Sequence, residues 1–103
     1  MTISYRIVVT PEARDELGAL HSYIAAAADT ETGSRFTDGI IDYIATLSEF
    51  PKRGTPRDDL RPGLRTIAWR RRVTIAFVVE ERDVVVIGVF YAGRDFESLL
   101  KDG

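Results

Sequence analysis

The sequence predicts an α+β fold, in which an N-terminal strand and an antiparallel helical hairpin precede a three-stranded antiparallel sheet. Three observations predict it: an alternating segment opens the chain, two segments with apolar residues at helical spacing follow, and three strand-like runs occupy the second half. Helices segregated on one face of a largely antiparallel sheet are typical of this class. With 103 residues, the chain is expected to form one domain, residues 1–103.

The first strand and the first helix are predicted by the opening residues. Tyr5, Ile7 and Val9 recur at every second position, which indicates a strand with one mainly buried face. Thr10 is expected to cap the first helix, because Pro11 suits the first helical position that follows it. One apolar stripe then continues at helical spacing.

A second helix is expected to begin between Thr30 and Ser34 and to end at Pro51. Because only a short turn connects it to the first helix, the two should form an antiparallel hairpin. The core expected for the fold consists of residues from both helices and from the strands: Ile7, Val9, Leu17, Leu20, Ile24, Phe36, Ile40, Ile44, Leu47, Ile75, Phe77, Ile87 and Val89.

The second half is predicted to be a loop over residues 51–63 and three strands. The loop is rich in proline and glycine. The last strand, residues 84–91, is apolar on both faces, so it should lie centrally in the sheet and be covered on each side. The helical hairpin can cover one side, and a C-terminal segment or another chain would cover the other. Residues 94–103 are expected to form a last helical turn.

The net charge is −2, but the charges are unevenly distributed. Between Thr10 and Phe50 there are eight acidic and two basic side chains, whereas between Pro51 and Arg72 there are eight basic and two acidic ones. This asymmetry favours an anionic partner for the basic middle of the chain. The alternative is a solvated loop whose arginines pair with the acidic helices.

The composition argues against several chemistries. The absence of cysteine removes disulfides, thiolate nucleophiles and cysteine-ligated zinc. The single histidine, His21, lies beside the stripe of the first helix, and no second histidine is available for a metal site. No segment approaches the roughly 18 apolar residues of a membrane span, and the N-terminus does not resemble a signal peptide. We therefore expect a cytoplasmic protein with no metal, no cofactor and no membrane partner.

Arginines and aromatic residues are the remaining candidates for binding. Trp69 and Tyr91 lie among the arginines near the predicted ends of the strands, and such a combination suits phosphate contacts and base stacking. A guanidinium group binds carboxylates equally well, so the sequence alone does not choose between these anions. Trp69 is also explained as a core residue, which is the interpretation we favour for it. The arginines concerned are Arg57, Arg61, Arg65, Arg70, Arg71, Arg72 and Arg94.

In this order of elements, the chain resembles the toxins of the ParE/RelE superfamily of bacterial toxin–antitoxin modules over nearly its whole length. Two segments are the most specific, namely DLRPGLR at residues 59–65 and VFYAGRDFESLL at residues 89–100, which resembles the ParE ending. Weaker matches lie in the first strand and the helices: Tyr5, Thr10, Ala13, Leu17, Leu20, Tyr23, Ile24, Phe36, Ile40, Ile44, Leu47, Pro51 and Gly54.

The resemblance to ParE implies a growth-arresting toxin that inhibits DNA gyrase and serves plasmid stabilisation. It also implies a ParD-like antitoxin that neutralises the toxin in a hetero-oligomer. The residues expected to bind the target are Arg94, Asp95, Leu99 and Leu100. Those expected to bind the antitoxin are Arg61, Arg65, Trp69, Arg70, Arg71 and Arg72.

The RelE branch offers an alternative, a ribosome-dependent mRNA endoribonuclease that would use Arg65, Arg72, Tyr91 and Arg94. Cleavage by a 2′-hydroxyl needs a base, an acid and stabilisation of charge at the phosphate. Arginine supplies only the last, because it stays protonated. Tyr91 would have to supply the proton, and no base is evident, which favours the ParE branch. A non-toxic binding module on the same scaffold is a third interpretation.

Overall fold

The computed structural model describes residues 4–91, in which one strand and two α-helices precede four further strands. A 3₁₀ turn over Thr46–Ser48 follows the second helix. The bounds are β1 Arg6–Val9, α1 Pro11–Ala27, α2 Thr30–Ala45, β2 Thr55–Pro56, β3 Leu64–Trp69, β4 Val73–Val79 and β5 Asp83–Tyr91.

The five strands form one mixed sheet in the order β1-β5-β4-β3-β2. β1 runs parallel to β5, and the other neighbours are antiparallel. The α+β class is therefore confirmed, and the doubly apolar β5 lies inside the sheet as predicted. β2 lies in the segment predicted to be only a loop, because its two residues are too few to show an alternating pattern.

Side-chain caps set the start of each helix. The Thr10 Oγ1 accepts a hydrogen bond from the N–H of Ala13 at 3.2 Å, and Pro11 occupies the first position of α1, as predicted. Asp29, which the sequence reading did not identify as a cap, accepts from the N–H of Thr32 at 2.7 Å at the start of α2. Both caps satisfy N–H groups that have no partner within the helix.

The prediction that the second helix extends to Pro51 was wrong. α2 ends at Ala45, and the chain continues as the 3₁₀ turn. At this point the Thr46 hydroxyl donates to the Tyr43 carbonyl at 2.6 Å. Proline ends a helix only when nothing earlier does so.

The two helices pack closely along the hairpin and cover one face of the sheet. A methyl group at Gly33 of α2 would lie 2.9 Å from the His21 carbonyl of α1, so this contact requires glycine. The core lies between the hairpin and the sheet. Its buried residues are Ala13, Leu20, Ile40, Ile44, Leu47, Trp69, Val73, Ile75, Phe77, Val84, Val86 and Val89.

A β-bulge in β5 changes the side of the sheet toward which the following side chains point. Ala76 pairs with Gly88 and Phe77 pairs with Val86, so Ile87 has no partner across the pair. The alternation of β5 therefore reverses at Ile87. The prediction that Ile87 shares a core with Val89 was wrong, because Ile87 is half-buried on the opposite face of the sheet.

The face of the sheet turned away from the helices carries a second apolar cluster. Leu60, from the loop before β3, lies buried against it and is 7% exposed. No helical residue contributes to this cluster within residues 4–91. We call it the outer cluster, and its members are Leu60, Leu64, Ala76, Phe90, Val78 and Ile87.

Candidate binding surfaces

The turn between β3 and β4 holds three consecutive exposed arginines on a strained backbone. Arg70 has φ of 53° and Arg71 has φ of 59°, and the N–H of Arg72 bonds to the Trp69 carbonyl at 3.2 Å. Positive φ at both central residues is the geometry of a type I′ turn, which ordinarily uses Asn-Gly. For other residues it costs about 1–2 kcal/mol each. Strain of this kind persists where the side chains serve another purpose.

Trp69 anchors this turn to the helical hairpin. Its ring is 8% exposed and meets the edge of the Phe36 ring with a centroid separation of 5.0 Å. A methyl group at Gly39 would lie 2.8 Å from its Cζ2, so α2 approaches the indole closely. Trp69 is thus a core residue, as favoured from the sequence, and the arginines that follow it form an exposed turn. The Arg70 guanidinium stacks on the outer side of the indole at 4.5 Å.

The aromatic contacts continue from Trp69 across the hairpin to an exposed tyrosine. Phe36 also contacts Tyr91 at 6.2 Å, and Tyr91 contacts Tyr23 at 5.9 Å, both measured between ring centroids. Tyr23 is 62% exposed. We call these four residues the aromatic row: it runs from an exposed phenol on α1 to the base of the arginine turn.

Arg65 lies at the other end of β3. It pairs with Phe77, whose side chain belongs to the helix-side core, so Arg65 is on the helix side of the sheet. Its guanidinium donates to the Arg53 carbonyl at 3.3 Å. Arg53 in turn donates to the Thr46 Oγ1 at 2.7 Å. These bonds link the start of the 3₁₀ turn to β3.

Two carboxylates, Asp58 and Asp59, organise the loop before β3. Arg57 donates two hydrogen bonds to Asp59, at 3.0 and 2.9 Å, and these bonds hold the pKa of the Asp59 carboxyl below its usual range. The Asp58 Oδ1 accepts from the N–H of Gly63 at 2.8 Å. Arg61 differs, because its Nε is buried and has no partner among the described residues. A buried donor of this kind requires an acceptor.

The structure separates the residues that a ribonuclease would need to bring together. Arg72 and Tyr91 lie at the same end of the sheet, because Tyr91 pairs with Val73. Arg65 lies four residues from Trp69, about 13 Å along the strand at the usual rise per residue. Its guanidinium is directed to the Arg53 carbonyl instead. The other expected member, Arg94, lies outside the described residues.

The residues expected to contact the target also lie outside residues 4–91: Arg94, Asp95, Leu99 and Leu100. The predicted last helical turn lies there as well. Within the described range, His21 Nε2 lies 3.1 Å from the Ser34 Oγ, which links the two helices. The described residues contain no group of three or more side chains suited to holding a metal. Neither helix of the described range is long and apolar enough to cross a membrane.

Sequence reasoning missed Tyr23 and Phe36 as members of the aromatic row. Both were assigned only to helical patterns, and their contacts to Tyr91 and Trp69 join residues far apart in the chain. An exposed tyrosine beside an apolar stripe was the available signal. Arg53 was also missed, because its role depends on the turn that ends α2.

Known proteins share both the sequence pattern and the fold. Residues 7–96 match the family model of the ParE toxin of the type II toxin–antitoxin system parDE. A chain of the chromosomal ParDE system from P. aeruginosa is similar in structure, with a TM-score of 0.76, 18% identity and coverage of 87% of this chain and 98% of that one. A chain of the RelBE2 toxin–antitoxin complex from Mycobacterium tuberculosis is also similar, with a TM-score of 0.67 and 19% identity. The match covers 91% of this chain and 98% of that one.

No curated protein matches the chain in sequence. At identities below 20%, the two structural likenesses show the α+β fold and nothing finer. The family match is independent of them and extends over most of the chain. The chain therefore belongs to the ParE toxin family of type II toxin–antitoxin systems.

Proposed function

We propose that this toxin inhibits DNA gyrase and is neutralised by a ParD-like antitoxin in a hetero-oligomer. Membership of the ParE family supports the gyrase assignment. The structural observation that carries it is the position of Arg65, which is bonded to the Arg53 carbonyl and lies apart from Arg72 and Tyr91. A ribonuclease would need these groups around one phosphate.

Expression without an antitoxin tests the assignment in cells. Induction should arrest growth and activate the DNA damage response, while mRNA on translating ribosomes stays intact. Growth arrest without DNA damage would contradict gyrase inhibition. Codon-dependent mRNA cuts abolished by Arg65→Ala or Tyr91→Phe would replace it with the ribonuclease function. Normal growth would instead support the non-toxic binding module.

We propose that an apolar segment of the antitoxin binds to the outer cluster. Among the described apolar residues, Leu60 is the only member of the cluster that comes from outside the strands, and Val78 and Ile87 are half-buried. A helix or an extended peptide docks on a face of this kind through its apolar side chains. Both structural neighbours come from toxin–antitoxin complexes, which supports a partner of this class.

Two arginines of the segment that leads into β3 are proposed to receive antitoxin carboxylates: Arg61, which is next to Leu60 of the outer cluster, and Arg65, which lies on the helix side of the sheet. Arg61 follows Leu60, and its buried Nε has no acceptor among the described residues. Arg65 follows Leu64 on the same segment, and its guanidinium has further donors besides the one bonded to the Arg53 carbonyl. Charge-assisted bonds from a guanidinium to a carboxylate are stronger than neutral ones. Trp69 and the arginines at positions 70–72 lie at the opposite end of β3 and fall outside this proposed surface.

A matched pair of substitutions tests the outer cluster. Ile87→Glu places a charge in the cluster, whereas Ile41→Glu places one on the exposed side of α2. With the adjacent antitoxin gene co-expressed, the Ile87 variant should remain toxic and should not co-purify with the antitoxin. The Ile41 variant should be neutralised normally. Neutralisation of both variants would show that the antitoxin binds elsewhere, provided that both show the same helical circular dichroism.

A further inference from the structure

The antitoxin surface proposed above leaves out the arginine turn between β3 and β4, although the resemblance to ParE implied antitoxin contacts for its three arginines. We propose that this turn binds the phosphate backbone of a nucleic acid, with Arg70, Arg71 and Arg72 as the phosphate ligands. The inference does not depend on gyrase being the target. It is drawn from the charge of the turn, its rigidity and the aromatic row behind it.

The positive charge of the turn is not used within the described structure. The ion pairs of residues 4–91 involve other arginines, namely Arg6, Arg35 and Arg57. All three turn arginines are exposed, and none has an acidic partner among the described residues. Because the whole chain has a net charge of −2, this positive tip is not a consequence of a basic composition. Unpaired, clustered arginines are the electrostatic footprint of a polyanion site.

The base of the turn packs against the helical hairpin. Trp69 is packed between Phe36 and Gly39, and the Arg70 guanidinium stacks on its ring. A guanidinium fixed on an indole loses less freedom when it binds a phosphate. Arg70 and Arg71 have positive φ, a conformation in which glycine would be less strained. We infer that arginine is present at these positions because of what its side chain binds.

Phosphate fits these features better than carboxylate. Three adjacent guanidinium groups match a ligand that offers several anions in sequence, and a nucleic-acid strand offers one about every 3.4 Å. A two-stranded β-ribbon such as the end of β3 and β4 also fits the major groove of a duplex. At the other end of the aromatic row, the exposed Tyr23 presents a ring on which an unpaired base can stack.

Binding of labelled oligonucleotides of random sequence, followed by fluorescence anisotropy, tests the proposal. The probes are a DNA duplex, single-stranded DNA and single-stranded RNA, and a polyglutamate peptide represents carboxylates. The full chain is compared with the triple variant Arg70→Gln, Arg71→Gln, Arg72→Gln. The control carries the same charge change at exposed arginines elsewhere: Arg14→Gln, Arg35→Gln and Arg82→Gln.

The salt dependence of affinity is the decisive quantity, because each phosphate contact contributes about 0.9 to its logarithmic slope on duplex DNA and about 0.7 on single strands. The turn variant should lose about two to three contacts and at least tenfold in affinity at about 100 mM salt. The control should keep the original slope. A lysine triple variant, which keeps the charge, should retain most of the slope. The probe with the largest loss identifies the nucleic acid that the turn binds.

Three outcomes would overturn the proposal. The first is a slope that does not change in the glutamine variant. The second is an equal loss in the control, since binding would then follow net charge alone. The third is a loss of polyglutamate binding as large as the loss of nucleic-acid binding, which would assign the turn to a carboxylate-bearing protein. Thermal melting of each variant shows whether a loss of affinity comes from unfolding. If the glutamine variant is unfolded, the salt dependence of the lysine variant decides whether the turn binds phosphate.

Discussion

At residues 70 and 71 the chain holds two arginines in a backbone conformation that favours glycine. Arg71→Gly removes this strain, so it should raise the free energy of unfolding by about 0.5–1 kcal/mol, after the added freedom of the unfolded chain is subtracted. Urea denaturation measures the change. Arg72→Gly is the control, because Arg72 is not among the residues with positive φ, and it should give no gain. An equal change in the free energy of unfolding for the two substitutions would show that the backbone at Arg71 is not strained.

Phe77 and Ile87 were expected to behave alike as core residues, and the structure separates them. Phe77 is fully buried in the helix-side core, whereas Ile87 is half-buried in the outer cluster. Phe77→Ala should therefore cost about 3–5 kcal/mol, and Ile87→Ala clearly less, because part of its surface already meets water. Chemical denaturation of both variants compares the costs. A larger loss of stability in the Ile87 variant would mean that the bulge does not turn the Ile87 side chain away from the helix-side core.

Local signals were sufficient for some residues and not for others. The Thr10 cap and the Pro11 start were predicted because both depend only on neighbours in the chain. The side of the sheet on which Ile87 lies was not predicted, because a bulge depends on the register between β4 and β5. The stacking of Arg70 on Trp69 joins adjacent residues, yet it requires a turn whose φ values the residue types disfavour. Such disagreement between sequence preference and structure is typical of functional positions.

At the scale of elements, the hairpin provides a matched pair of helical glycines. A methyl group at Gly18 of α1 would meet nothing within 4 Å, whereas one at Gly33 of α2 would lie 2.9 Å from the His21 carbonyl. Gly18→Ala should stabilise the protein by about 0.5–1 kcal/mol through helix propensity. Gly33→Ala should destabilise it by about 1–3 kcal/mol, because two backbones must separate. Thermal unfolding tests both, and stabilisation by the Gly33 substitution would contradict the close hairpin.

The cap of α2 makes stability depend on pH. The pKa of Asp29 is lowered, first by the hydrogen bond from the Thr32 N–H. A lowered folded pKa means that the charged cap stabilises the fold above the unfolded value near 3.9, and that this contribution is lost as pH falls through the folded pKa. Asp29→Asn keeps a cap without the titration. Its melting temperature should lie below that of the unmodified protein at about pH 6, and the gap should narrow as the pH falls below the unfolded pKa.

A gap that stays constant over this pH range would show that the Asp29 carboxylate does not stabilise α2. Asp59 is a useful comparison, because its pKa is also lowered, mainly by the hydrogen bond from Arg57. That pair lies in the loop before β3, so Asp59→Asn should leave the pH dependence of Asp29 unchanged.

The elements themselves were largely predictable, and their ends were less so. Apolar spacing predicted both helices and the strands β1, β3, β4 and β5, because each buries a regular face. β2 has two residues, and it exists because the loop before β3 folds back onto Thr66 and Arg65. The end of α2 at Ala45 was also missed, because no helix breaker marks the position in the sequence where the chain tightens into the 3₁₀ turn.

For the whole molecule, helices bury one face of the sheet, and a second apolar cluster lies on the other face. The sequence predicted this arrangement from the apolar character of β5, and it predicted the basic segment from the distribution of charge. It could not predict that the basic residues separate into two groups. One group accompanies the loop at Arg61 and Arg65, and the other forms the turn that begins at Arg70, at opposite ends of β3. That division appears only when the strand is placed in the sheet.

Inhibition of DNA gyrase is the activity that we propose for this member of the ParE family. Supercoiling of relaxed plasmid by purified gyrase tests it most directly, with the full chain added at increasing concentration. We expect supercoiling to decrease and cleaved DNA to accumulate, and the antitoxin to restore supercoiling when it is added first. The Ile87→Glu variant should inhibit gyrase even in the presence of the antitoxin. Unchanged supercoiling at every concentration, from a preparation that arrests growth when expressed, would contradict the account.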